Sequence, residues 1–194
     1  DATVGGSIYG AGLGEPTNVG GNTTVSVLGQ ANVTGNIYGG GESGDVTGGT
    51  TVSVNGNLQV NNVYGAGKGE DSNVGTSTSV TLTAGTVNGS VYGGAEKGTV
   101  RLNGSGNAAD IATVTITNGL VKGNVYGGGQ LGTVAGQTTV NMNGGTVEGN
   151  LFGGALGTKS VLYVGGLKTI NMTGGTVVGD LYGGSENAND ANSL

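Results

Sequence analysis

Cysteine and histidine are both absent from the 194-residue chain, and proline occurs once. Without thiols or imidazoles there is no disulfide, no Cys/His zinc site, no cysteine nucleophile and no histidine acid–base pair. Charge is scarce too, at 9% of residues, which argues against charge-driven disorder. The six cations are scattered (Lys68, Lys97, Arg101, Lys122, Lys159 and Lys168) and face twelve acids, for a net charge of −6. A nucleic-acid surface needs clustered cations to neutralise phosphates, and an anionic membrane surface needs the same, so neither is an expected partner. No run approaches the ~18 apolar residues of a membrane helix, so no membrane insertion is expected.

What the chain has in excess is glycine, 47 residues, or about a quarter against a usual ~7%. An aromatic–glycine pair recurs at Tyr9, Tyr38, Tyr64, Tyr92, Tyr126, Phe152 and Tyr182, at intervals of 26 to 34 residues. Only Tyr163 falls outside this position. Periods of this size belong to solenoids, propellers and arrays. Between the aromatic positions, apolar residues alternate, as in Thr50-Thr-Val-Ser-Val54 and Thr78-Ser-Val-Thr-Leu82. That is the signature of a half-buried strand, and no helical spacing competes with it. A second apolar pair precedes each aromatic, as Val33 and Ile37 or Val87 and Val91, four residues apart. Val60 and Val63 are three apart, so that copy is expected to turn a different corner.

Each copy thus supplies about three short strands with glycine-rich corners. One copy cannot bury its apolar face alone, whereas stacked copies bury it against each other. Propeller blades need about 40 to 50 residues, more than any of these units offers. The expected fold is all-β: a parallel β-helix (β-solenoid), right-handed by the usual crossover rule, of about six coils spanning residues 1–184. At ~4.8 Å per coil the rod would be roughly 30 Å long, and residues 185–194 read as a polar C-terminal tail.

The consensus Gly-Gly-Thr-Val-x-Gly-Asn-Val-Tyr-Gly-Gly-Gly, matched by Gly119–Gly129, Gly144–Gly154 and Gly174–Gly184, resembles repeats of large bacterial cell-surface proteins. The likeness is to the adhesin-like and autotransporter-like β-solenoids of gut anaerobes and runs from about Val4 to Gly184. It implies an extracellular location and a role as a stalk or adhesive module. The motif speaks to architecture and not to ligand.

Four groups of residues are candidates for a site. If valines point inward, strand parity sends the aromatic column outward. Tyr38, Tyr64, Tyr92 and Tyr126 are then the expected contacts for a host glycan or surface protein, since exposed rings bury sugar or apolar faces. The polar row of the central strand (Thr24, Ser26, Thr51, Ser53, Ser79, Thr81, Thr113, Thr115, Thr139, Asn141, Thr169 and Asn171) forms two files of small groups. Such files suit an ice-binding face, though Ser and Asn break their regularity. Glu15, Glu42, Asp45, Glu70, Asp71, Glu96 and Glu186 follow the aromatic corners, but no nine-residue calcium repeat accompanies them and no metal or other cofactor is expected. Arg101, Asp110 and Lys122 are the one grouping a carbohydrate-active β-helix lyase or hydrolase could use. The expected function is a non-catalytic structural or adhesive module, with enzyme and ice-binding solenoid as alternatives. Flanking repeats or capping domains are expected in the parent chain, because open strand edges recruit other chains.

Overall fold

A computed structural model describes residues 2–15, 17–100, 111–158, 164–188 and 190. The described residues form only strands and turns, and every strand pairing is parallel. The chain is a β-solenoid of about six coils, as the repeat required.

Each coil carries four strand positions rather than three. A two-residue lead strand (Asp45–Val46, Thr99–Val100) is followed by a long strand (Thr50–Gly56, Ile111–Ile116). A relay strand (Gln59–Val60, Leu120–Val121) and an aromatic strand (Val63–Tyr64, Val125–Tyr126) complete the turn. Equivalent residues of successive coils sit in register: Val52 on Val80, Val87 on Val121, Tyr92 on Tyr126. The seven aromatic strands make one sheet, from Ile8–Tyr9 at one end to Leu181–Tyr182 at the other.

Alternation decides which side chains line the interior. Along Thr50–Val54 the inward residues Thr50, Val52 and Val54 are buried, whereas Thr51 is exposed and Ser53 half-buried. Valines, isoleucines and leucines of the long, relay and aromatic strands join one continuous core. Val46, Val74, Val100 and Val134 of the lead position form a second core with Ala66, Ala95 and Ala112. The three-residue spacing of Val60 and Val63 is accommodated as a corner one residue shorter. Val60 still pairs Val87, and Val63 still pairs Ile37 and Val91.

Two glycine columns have separate physical reasons. After the long strand, Gly29, Gly56, Gly85, Gly119, Gly145 and Gly175 all have positive φ, from 73° to 145°, where a Cβ is strained. The glycine after each aromatic has ordinary φ, and wherever another coil follows it has no room. A methyl on Gly39, Gly65, Gly93 or Gly127 would overlap the carbonyl oxygen of the next coil's equivalent glycine. This close approach lets the inward threonine of the same coil reach across. Thr23 and Thr138, both buried, donate to the carbonyls of Gly39 and Gly153 at 2.6 Å, and Thr50 and Thr78 bond Gly65 and Gly93 in the same way. A buried hydroxyl needs such a partner, and the repeat supplies one.

Candidate functional site

The aromatic column is the most organised feature of the molecule. Seven rings, Tyr9 to Tyr182, stack with centroids 4.8–4.9 Å apart and planes within 11° of parallel. That spacing lies in the offset-stacked range of ~4.5–7 Å, where each pair contributes about 0.5–1.5 kcal/mol beyond area burial.

The rings do not face solvent. Tyr38, Tyr64, Tyr92 and Tyr126, expected as exposed contacts, are 1%, 2%, 5% and 2% exposed. The rings form a cluster apart from the valine core. Exposure did not follow, because both faces of each interior ring are covered by the rings above and below. A ligand therefore has no ring face to stack on at these four positions.

The hydroxyl edges are engaged as well, by a rule that reaches across two coils. The partner is the fourth residue after the aromatic two coils further on. Tyr38 donates to Glu96 Oε2, Tyr64 to Gln130 Oε1 and Tyr126 to Glu186 Oε2 at 2.6 Å. At the equivalent place for Tyr92 stands Leu156, which packs against the column instead. Burial raises the pKa of all four phenols above the ordinary tyrosine range, and for Tyr38 and Tyr126 the adjacent carboxylate adds to the shift.

Beside the rings runs a polar ladder that sequence reasoning missed. Two residues before each aromatic stands Ser7, Asn36, Asn62, Ser90, Asn124, Asn150 or Asp180. Each side chain from Ser7 to Asn150 accepts a hydrogen bond from the backbone N–H at the same position one coil on, at 2.7–3.1 Å. The signal was a small polar residue at a fixed offset from the aromatic. In addition, Asn36 Nδ2 and Asn124 Nδ2 donate to the hydroxyls of Tyr38 and Tyr126 at 2.9 and 2.8 Å.

The polar row of the long strands is a flat, in-register face. Thr51, Ser79, Thr113, Thr139 and Thr169 occupy one file, and Ser53, Thr81, Thr115, Asn141 and Asn171 the next. No charged side chain interrupts these two files. Their amides interact laterally, as when Asn171 Nδ2 donates to Asn141 Oδ1 at 2.9 Å.

The acids after the aromatic corners divide by role. Asp45 accepts from the backbone N–H of Asn73 at 2.9 Å and so acts as a ladder residue. Glu96 and Glu186 serve tyrosines. Glu42 meets Lys68 at 2.8 Å; the shared hydrogen bond lowers the carboxyl pKa and raises the ammonium. Glu70 and Asp71 line a shallow groove with Glu42, Lys68, Glu96 and Lys97, and Glu15 lines a neighbouring one with Asp45 and Asp71. Among the described residues no group of three or more acids is placed to hold a metal ion. Lys122 is exposed just beyond its relay strand, while Arg101 and Asp110 lie outside the described residues. Pairing continues beyond Gly184, since Glu186 bridges Leu156. No described helix is long and apolar enough to cross a membrane.

The chain matches no family model, no curated protein and no solved structure.

Proposed function

We propose that the chain is a non-catalytic structural module that serves as a rigid spacer with an adhesive face in an extracellular bacterial surface protein. The observation that carries this reading is the uninterrupted aromatic column, six stacking contacts with no break in register. Hydrogen bonds, ring stacking and a valine core all repeat along one axis, so bending any coil strains three ladders together. The bacterial-surface assignment rests on the resemblance of the repeat. Flanking repeats or capping domains belong to the same reading, since open strand edges of a solenoid recruit other chains unless covered.

A host glycan or surface protein would meet the charge-free long-strand face, since the tyrosine faces are occupied. Shallow contact along several coils suits an extended polymer. A glycan array with Thr51→Glu/Thr113→Glu as control tests adhesion. Small-angle scattering on chains with duplicated coils tests the spacer, with ~4.8 Å of added length expected per coil. Sub-linear growth in length would defeat the rod reading.

One observation favours ice binding as a second reading: the two files are in register, parallel and uncharged, although Ser and Asn interrupt the threonines. Thermal hysteresis that disappears in Thr113→Glu would establish it.

A further inference from the structure

The aromatic column contains one arrangement that packing alone does not require. At Tyr38 the phenolic oxygen accepts from Asn36 Nδ2 at 2.9 Å while its proton is donated to the Glu96 carboxylate. At Tyr126 the same triad recurs: Asn124 Nδ2 donates at 2.8 Å, and the hydroxyl donates to Glu186 at 2.6 Å. The other interior rings lack it. Tyr64 donates to an amide oxygen, Gln130 Oε1, and Asn62 turns its own amide toward Asn36 Oδ1 at 3.1 Å. Tyr92 has Leu156 where a carboxylate would stand.

Phenols lose an electron readily only when their proton has somewhere to go, because the protonated radical cation is a strong acid. A carboxylate already hydrogen-bonded to the hydroxyl is such a destination, and a neutral amide oxygen is not. A second donor left on the oxygen stabilises the phenoxyl that remains. Rings stacked at 4.8–4.9 Å from Tyr9 to Tyr126 provide contact-distance electronic coupling to both triads. Phe152, which has no phenol to oxidise, separates Tyr182 from the rest.

We propose that the triads Asn36–Tyr38–Glu96 and Asn124–Tyr126–Glu186 are sites of reversible one-electron oxidation, at which small oxidising radicals or metal-complex oxidants are quenched. One electron passes from the ring, directly or through the stack, to the oxidant, which is reduced. The O–H bond of Tyr38 breaks and its proton forms an O–H bond on Glu96 Oε2, leaving a neutral phenoxyl held by Asn36. An electron from an external one-electron donor, an enediol reductant or a reduced metal complex, restores the tyrosine as the proton returns from Glu96, and the donor is oxidised. The Tyr126 triad works in the same way with Glu186 and Asn124. Burial of both rings keeps the radical from coupling with other molecules.

Flash photolysis of the 194-residue chain with a ruthenium polypyridyl oxidant, read by optical and electron paramagnetic resonance spectroscopy, tests this. The wild-type chain should give a long-lived neutral tyrosyl radical. Glu96→Gln/Glu186→Gln keeps an acceptor of similar shape but cannot take the proton, and should slow radical formation about a hundredfold, as loss of a positioned base does. Tyr38→Phe/Tyr126→Phe should remove the long-lived signal with the column intact, since Phe152 already occupies an equivalent place. Tyr64→Phe should leave it unchanged. Equal rates in the Gln pair, or persistence of the signal in the Phe pair, would overturn the proposal. If the Gln pair fails to fold, the Phe pair decides.

Discussion

Two stretches of nearly the same sequence meet opposite fates. Gly144–Gly154 and Gly174–Gly184 share the pattern Gly-Gly-Thr-Val-x-Gly-x-Leu-aromatic-Gly-Gly and pair with each other in register. In the first, Leu151 and Phe152 are 0% and 4% exposed; in the second, Leu181 and Tyr182 are 47% and 45% exposed. Backbone conformation is common to both, because one neighbouring coil suffices to fix a parallel strand. Burial differs because, among the described residues, only the first has a coil on each side. Within a solenoid, then, shape is dictated from one side and stability from two.

Alkali should divide the covered interior of the column from its ends most. The buried phenols have folded pKa values raised by desolvation, so the folded state holds protons that the unfolded chain releases above about pH 10. Their stability contribution is complete below that point and falls as pH climbs toward the raised folded values. Circular dichroism should record a steep alkaline unfolding that moves to higher pH in a chain with Tyr38, Tyr64, Tyr92 and Tyr126 all changed to Phe. An unmoved transition would mean that other groups drive it.

Ring truncation comes next. Tyr126→Ala opens a cavity between two rings and should cost about 3–5 kcal/mol in denaturant unfolding. Tyr182→Ala removes a single stacked pair and should cost no more than about 1.5 kcal/mol. Equal losses would erase the distinction between interior and end.

The glycines make the same contrast without aromatic chemistry. A methyl at Gly153 would overlap the Gly183 carbonyl oxygen, whereas at Gly183 it meets nothing within 4 Å. Gly153→Ala should therefore destabilise by about 1–3 kcal/mol. Gly183→Ala should be neutral or slightly stabilising, by up to ~1 kcal/mol, through the unfolded chain. Paired melting curves decide it.

The smallest effect belongs to the Glu42–Lys68 pair, largely exposed on its groove. Lys68→Ala should cost under about 1 kcal/mol, and less in high salt. Because its partner lowers the Glu42 pKa, the contribution is present above the ordinary carboxylate pKa and fades as pH falls through the depressed folded value.

Much of this was legible in the chain. The aromatic period and the alternation in Thr50–Val54 marked the stack, and the spacing of Val60 and Val63 marked the shorter corner. Lead strands such as Asp45–Val46 escaped notice because two residues carry no periodicity. Parity set Tyr92 apart from the valines, but its burial could not be read from parity. Covering it took the rings of Tyr64 and Tyr126, 28 residues before it and 34 after it. The partners of Tyr38 and Tyr126 were likewise hidden, since Glu96 and Glu186 lie 58 and 60 residues away.

By itself the sequence determined which residues form the long strands and which face their side chains take, because these are local matters of alternation. Tertiary structure alone decided which of those faces are dry and which hydroxyls are paired. Both depend on neighbours a coil or two distant, whose presence no local pattern records.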